Sequence, residues 1–118
     1  MHEPIRTVIV CGGRAFADAK AVAAYLGRLT KPFRVVTGGA KGADALAEAW
    51  ARENHVPCVA VPADWATHGR AAGPLRNQKM LVDHQPVAVI AFPGGRGTED
   101  MIRRASAAGV RVFRPIPF

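Results

Sequence analysis

No apolar run in the chain approaches the ~20 residues that a bilayer-spanning helix needs. The first residues, Met1-His2-Glu3-Pro4, lack the basic start and apolar stretch of a secretory signal. A membrane association is therefore not expected, and a cytoplasmic location is. Cysteine is scarce. Cys11 and Cys58 each fall in an apolar run, where a thiol acts as a small buried hydrophobe, and neither a redox nor a zinc spacing is present. The four histidines, His2, His55, His68 and His84, are scattered without ligand spacing. The expectation is no metal and no cofactor. Aromatic residues make up only 7% of the chain, leaving little with which to stack a run of nucleic-acid bases.

Acids are also few, and twelve arginines with four lysines leave a formal net charge of +7. The charge would suit a polyanionic partner or an anionic small ligand, but it is spread along the chain rather than gathered in a basic run, which is a weak nucleic-acid signal and reads first as a generally solvated surface. Nucleic acid remains an alternative partner. At 118 residues the chain has room for one core, and no linker, repeat or low-complexity tract divides it. Residues 1–118 are expected to form one domain.

What is present is a repeated alternation. Ile5 to Val10 is a short β-branched run ending in Cys11-Gly12-Gly13, as a buried strand entering a sharp turn does. Val22, Leu26 and Leu29 then place one apolar stripe on a helix from Asp18, its N-cap, to about Thr30. Phe33–Val36 predicts a second strand, and Leu46 and Trp50 mark the inner face of a helix over about 42–55. Cys58–Val61 predicts a third strand. Residues 62–70 carry turn formers and no period, and a loop of that length is a candidate lid. Pro74 suits the first position of a helix to about His84, with Arg76, Lys79 and Asp83 on its polar face. Val87–Phe92 predicts a fourth strand, a helix follows from about Glu99 to Gly109, and Val110–Phe113 closes the series. Strands apolar on both faces that alternate with helices predict a Rossmann-like α/β fold: an open parallel sheet of about five strands with helices on both faces.

Three strand ends carry glycine pairs: Gly12-Gly13-Arg14, Gly38-Gly39-Ala40-Lys41-Gly42-Ala43-Asp44 and Gly94-Gly95-Arg96-Gly97-Thr98. In a sheet of order 3-2-1-4-5 their parent strands are neighbours, and ligands bind at the carboxyl ends beside the switch between strands one and four. Glycine lets backbone approach a ligand, and helix N-termini offer free N–H groups, so convergent turns of this kind suit phosphate. Any one of them is also explained as a tight strand-to-helix turn. Neither the Walker pattern nor G-x-G-x-x-G is matched, which argues against ATP hydrolysis and ordinary NAD chemistry.

With Pro93 in front, the third turn resembles the PGGxGT motif of the LOG proteins, and with it the chain resembles the SLOG superfamily. That superfamily joins the LOG cytokinin-activating phosphoribohydrolases, DNA-processing protein A and small YspA/cpYpsA-related proteins. Gly13-Arg14, the Gly38–Asp44 turn, Ala63-Asp64-Trp65 and Gly73-Pro74-Leu75-Arg76-Asn77 resemble the small branch, and the resemblance spans nearly the whole chain. It implies a nucleotide-derived ligand and a homodimer or higher homo-oligomer. It also implies a catalytic pair, Arg76 with Asp100, for release of the base from a nucleoside 5′-monophosphate. Asn77 stands where the family has lysine and Asp100 where it has glutamate, and Glu99 is a second acid beside it.

Each of these residues has two readings. Asp100 stabilises charge on the ribose or complements a helix dipole; Arg76 clamps phosphate or is an ordinary helix arginine. Asp44 binds a ribose hydroxyl or caps its helix, and Trp65 stacks a base or packs on the domain. Three functions follow: a nucleotide N-glycosidase, a non-catalytic nucleotide sensor or sequestering protein, and a DNA- or RNA-binding protein.

Overall fold

The computed structural model describes residues 5–118, so the opening Met1–Pro4 stretch lies outside the described residues. Its five strands are β1 (Arg6–Cys11), β2 (Phe33–Thr37), β3 (Cys58–Ala60), β4 (Ala88–Ala91) and β5 (Arg111–Phe113). All neighbouring pairs are parallel and the order is β3-β2-β1-β4-β5. The expected Rossmann-like sheet is present.

The side-chain period of two explains why the central strands are apolar throughout. Val8 and Val10 of β1 face one layer, where Val22 and Leu26 of α1 (Ala19–Leu26) and Ala47 and Trp50 of α2 (Ala43–Glu53) close over them. Ile9, between them in sequence, faces Met80 and Leu81 of α4 (Ala72–His84) and Met101 and Ala105 of α5 (Arg96–Ala107). β2 and β4 divide in the same way, Val35 from Val36 and Ile90 from Val89.

Several boundaries differ from expectation. α1 stops at Leu26 because Gly27 follows, and Arg28 and Leu29 continue as tight turns bonded three residues back; Leu29 still packs on the core. The stretch 62–70 is not a featureless loop. Asp64 Oδ1 accepts from the Thr67 N–H at 3.1 Å and starts a one-turn helix, α3 (Trp65–His68), followed by a 3₁₀ turn over Gly69–Ala71. A single turn has no period to read. That turn leads straight into α4 at Ala72, so Pro74 is its third residue, where a missing N–H still costs no intrahelical bond. α5 begins at Arg96, directly after Gly95, rather than at Glu99.

The edges also depart from the expected burial. Every residue of β3 is exposed, Cys58 included, and β5 is largely exposed, because each has a neighbour on one side only. Cys58 is therefore not the buried hydrophobe expected, and Cys11 at the end of β1 is only partly covered.

Candidate functional site

The three glycine turns meet at the carboxyl ends of β2, β1 and β4, and they meet chiefly each other. The Gly13 N–H donates to the Pro93 carbonyl at 2.9 Å, and the Ala43 N–H to the Gly13 carbonyl at 3.2 Å. Gly42 sits at φ +77°, and a Cβ there would run into the Gly13 carbonyl and the Arg14 backbone. Gly12, Gly13 and Gly94 are packed in the same way at the switch between β1 and β4. That switch point is filled by protein, and the open space is displaced toward β2 and β3.

There a cavity of about 340 Å³ is lined by Arg14, Gly38, Gly39, Lys41, Trp65 and Arg76, with Ala40, Pro62 and Ala63 completing the wall. Arg14 and Lys41 are exposed at the rim. Trp65 is 50% exposed, and the Arg14 guanidinium stands 5.9 Å from its ring centroid. Gly73 lies behind that ring: a Cβ there would come within 3.3 Å of the indole. Trp65 is thus held at the cavity edge with much of its surface free, rather than absorbed into the core.

Beneath the cavity, Asp44 and Arg76 hold the second glycine turn from two sides. Asp44 lies in the first turn of α2, yet it does not cap that helix. Its Oδ2 accepts from the Gly38 N–H at 3.0 Å and the Ala40 N–H at 3.2 Å, so the carboxylate braces the turn instead. Burial pushes its pKa up to about 6, although those N–H groups and the Arg76 charge favour the ionised form. Arg76 reaches from α4 to the strand ends, where its Nη1 donates to the carbonyls of Gly38 at 2.7 Å and Val61 at 3.4 Å. A Cβ on residue 38 would collide with this guanidinium, so Gly38 is what admits Arg76. Desolvation lowers the arginine's pKa and the Asp44 charge opposes that shift. Thr37 completes the brace: its hydroxyl donates to Glu48 Oε2 at 2.9 Å and accepts from the Gly39 N–H at 3.1 Å.

A relay leads away from the cavity. Arg76 Nε donates to Asn77 Oδ1 at 3.0 Å, and Asn77 Nδ2 donates to Asp100 Oδ2 at 3.0 Å and to the Gly97 carbonyl at 3.3 Å. Asp100 is buried, one residue beyond the first turn of α5, and it also accepts from Arg103 Nη2 and Arg104 Nε, both at 2.8 Å. Both its oxygens are engaged, and it does not line the cavity. Thr98 is buried beside Gly94, whereas Gly95, Arg96, Gly97 and Glu99 lie on open surface. Asp64 caps α3 and faces a neighbouring hollow.

The structure therefore gathers Arg14, Gly38, Gly39, Lys41, Trp65 and Arg76 around one space, places Asp44 under it, and leaves the third turn to one side. Ala40 and Ala63 stood inside the motifs and Pro62 inside the expected lid, but none had a side chain that marked it as lining the cavity, since their part is backbone and position. Glu48 was legible only as the residue one helical turn after Asp44. Desolvation at the strand end, together with the Asp44 charge, raises the Cys11 thiol to about 12, so it is not a thiolate nucleophile near neutrality. Among the described residues, no three His, Cys, Asp or Glu side chains cluster as metal ligands, and no helix is long and apolar enough to cross a membrane.

A five-stranded parallel sheet in this order, with packed glycine turns at its carboxyl end, defines a Rossmann-like α/β protein. Residues 6–68 match the YspA, cpYpsA-related SLOG family, and the chain belongs to that family. The resemblance read from the motifs holds. The chain is 39% identical over 120 residues to the Gene 61 protein of Mycobacterium phage D29, covering 92% of this chain and 95% of that protein. Among solved structures it is similar to DNA processing protein A of Streptococcus pneumoniae, with a TM-score of 0.79 and 23% identity over 97% of this chain. It spans 51% of that protein's chain. A more distant likeness, with a TM-score of 0.56 and 15% identity, is to Methanocaldococcus jannaschii UDP-GlcNAc 2-epimerase, over 93% of this chain and 32% of that one. At these identities the structural likeness is one of fold.

Proposed function

We propose that the 340 Å³ cavity binds a nucleotide-derived, phosphate-bearing ligand and that the protein is a sensor or sequestering protein for it. The observation that carries this reading is the company around the cavity: Arg14, Lys41 and Arg76 beside the half-exposed Trp65 side chain, over the Gly38–Ala40 backbone. Guanidinium and ammonium groups take the phosphate, and the indole takes the base by stacking. The test is a panel of nucleoside monophosphates, cyclic nucleotides, NAD and ADP-ribose, read by melting temperature with the ligand recovered afterwards. A true ligand at ~100 times its Kd stabilises by about 2.7 kcal/mol, or roughly 10 °C in a domain of this size. Recovery of the intact ligand, with the shift lost in Arg14→Ala, supports the reading; no shift from any member sinks it.

A second reading is favoured by the relay Arg76–Asn77–Asp100, which joins the cavity to the acid that the family motif makes catalytic. In it the protein hydrolyses the N-glycosidic bond of a nucleoside 5′-monophosphate, and Asp100 releases its arginines when substrate enters. Base release that Asp100→Asn abolishes would replace the sensor with a hydrolase. Both readings have one domain acting in the cytoplasm as a homo-oligomer.

A further inference from the structure

Beside the cavity lies a second hollow, of about 400 Å³, and the two share Pro62 and Arg76. The walls it does not share are Ala60 and Val61 at the end of β3, Asp64 and His68 around α3, and Leu75 and Lys79 of α4. The short helix α3 contributes to both, Trp65 lining the first and His68 the second. Their chemistry differs. The first offers two rim cations and an aromatic face. The second offers a carboxylate, an imidazole, an ammonium and the exposed apolar side chain of Leu75. A carboxylate repels a further phosphate but accepts hydrogen bonds from sugar hydroxyls, to which imidazole and ammonium donate in turn.

Arg76 stands at the junction with part of its fork uncommitted. Nε and Nη1 are taken up by Asn77, Gly38 and Val61, whereas the Nη2 amino group has no protein acceptor among the described residues. Two N–H donors thus remain on a half-buried guanidinium whose side chain borders both hollows, and they suit the oxygens of a diphosphate bridge. Each hollow alone is near the lower end of the ~300–1,000 Å³ typical of ligand pockets, and joined they lie well inside it.

We infer that the ligand is a nucleoside diphosphate carrying a second sugar: nucleoside against Trp65, diphosphate at Arg76, and distal sugar between Asp64, His68 and Lys79. This rests on the nucleotide reading above and extends it into the second hollow. Calorimetric titration of the full chain with AMP, with ADP against ADP-ribose, and with UDP against UDP-glucose tests it. The distal sugar is expected to tighten binding about tenfold over the matching diphosphate, and the double substitution His68→Ala, Lys79→Ala to remove most of that gain. Both side chains are exposed, and a melting curve of the variant checks its fold. Equal affinity of the sugar-bearing and plain diphosphates in both pairs overturns the inference while leaving the nucleotide reading standing. A gain that survives the double substitution also overturns it. Failure of all five compounds to bind removes both.

Discussion

Replacing Asp44 removes the one carboxylate that holds the cavity floor. It is 5% exposed, and its Oδ2 serves the N–H groups of Gly38 and Ala40 while facing the Arg76 charge. In Asp44→Ala those two donors lose their acceptor, the Gly38 N–H in a buried position and the Ala40 N–H in a partly buried one. At ~1–3 kcal/mol for each orphaned group, less the relief of no longer burying a carboxylate, the net loss comes to about 2–4 kcal/mol. The pH dependence has a definite sign. The carboxyl's pKa rises from 3.8 to about 6 on folding, so the folded chain holds its proton to higher pH than the unfolded chain does. The associated stability is fully present below about pH 4 and is lost as pH rises through about 6, a change of about 3 kcal/mol.

Asp44→Asn keeps an acceptor oxygen and cannot titrate. Urea unfolding followed by tryptophan fluorescence at steps from pH 4 to 7.5 gives stability curves for both proteins. Subtraction cancels the groups they share, and the wild-type minus Asp44→Asn difference is expected to fall with rising pH across that window. A difference that is flat, or that rises with pH, would refute the argument that burial outweighs the N–H groups and Arg76 at this carboxyl.

Two glycines of the turns are expected to respond oppositely to alanine, as denaturant midpoints will show. Gly42→Ala combines a positive φ with collision against the Gly13 carbonyl and should cost about 2–4 kcal/mol. Gly97→Ala, in the first turn of α5 with open space where its Cβ would lie, should stabilise by about 0.5–1 kcal/mol. In the layer beneath α4 and α5, Met80→Ala opens a void against Ile9 and Val89 and should lower stability by about 2–4 kcal/mol, with the ligand site spared.

Much of the architecture was legible in the order of residues. Apolar runs such as Ile5–Val10 and Val87–Phe92 mark parallel strands, buried over Val8–Val10 and Ala88–Phe92 because both sheet faces are covered there. The glycine pairs after three of them mark where strands turn into helices. The PGGRGT and Gly38–Asp44 motifs carried the family. These are local signals, written in neighbouring residues, and composition together with motif spacing suffices to read them.

The arrangement of the site was decided elsewhere. Gly38 reads as a phosphate-turn glycine, but in three dimensions its missing Cβ is the room that Arg76, 38 residues away, occupies. Asp44 reads as a helix cap and acts as a brace, because the turn before it folds back over its carboxylate. Asp100 reads as an acid facing a ribose or complementing a helix dipole, and in the fold its oxygens go to Asn77 of α4 and to Arg103 and Arg104 of its own helix. The sequence by itself determined the alternation of elements, the parallel sheet and the family. Only the tertiary structure decided which glycines serve packing and which line a cavity, since that depends on what distant chain arrives against each backbone.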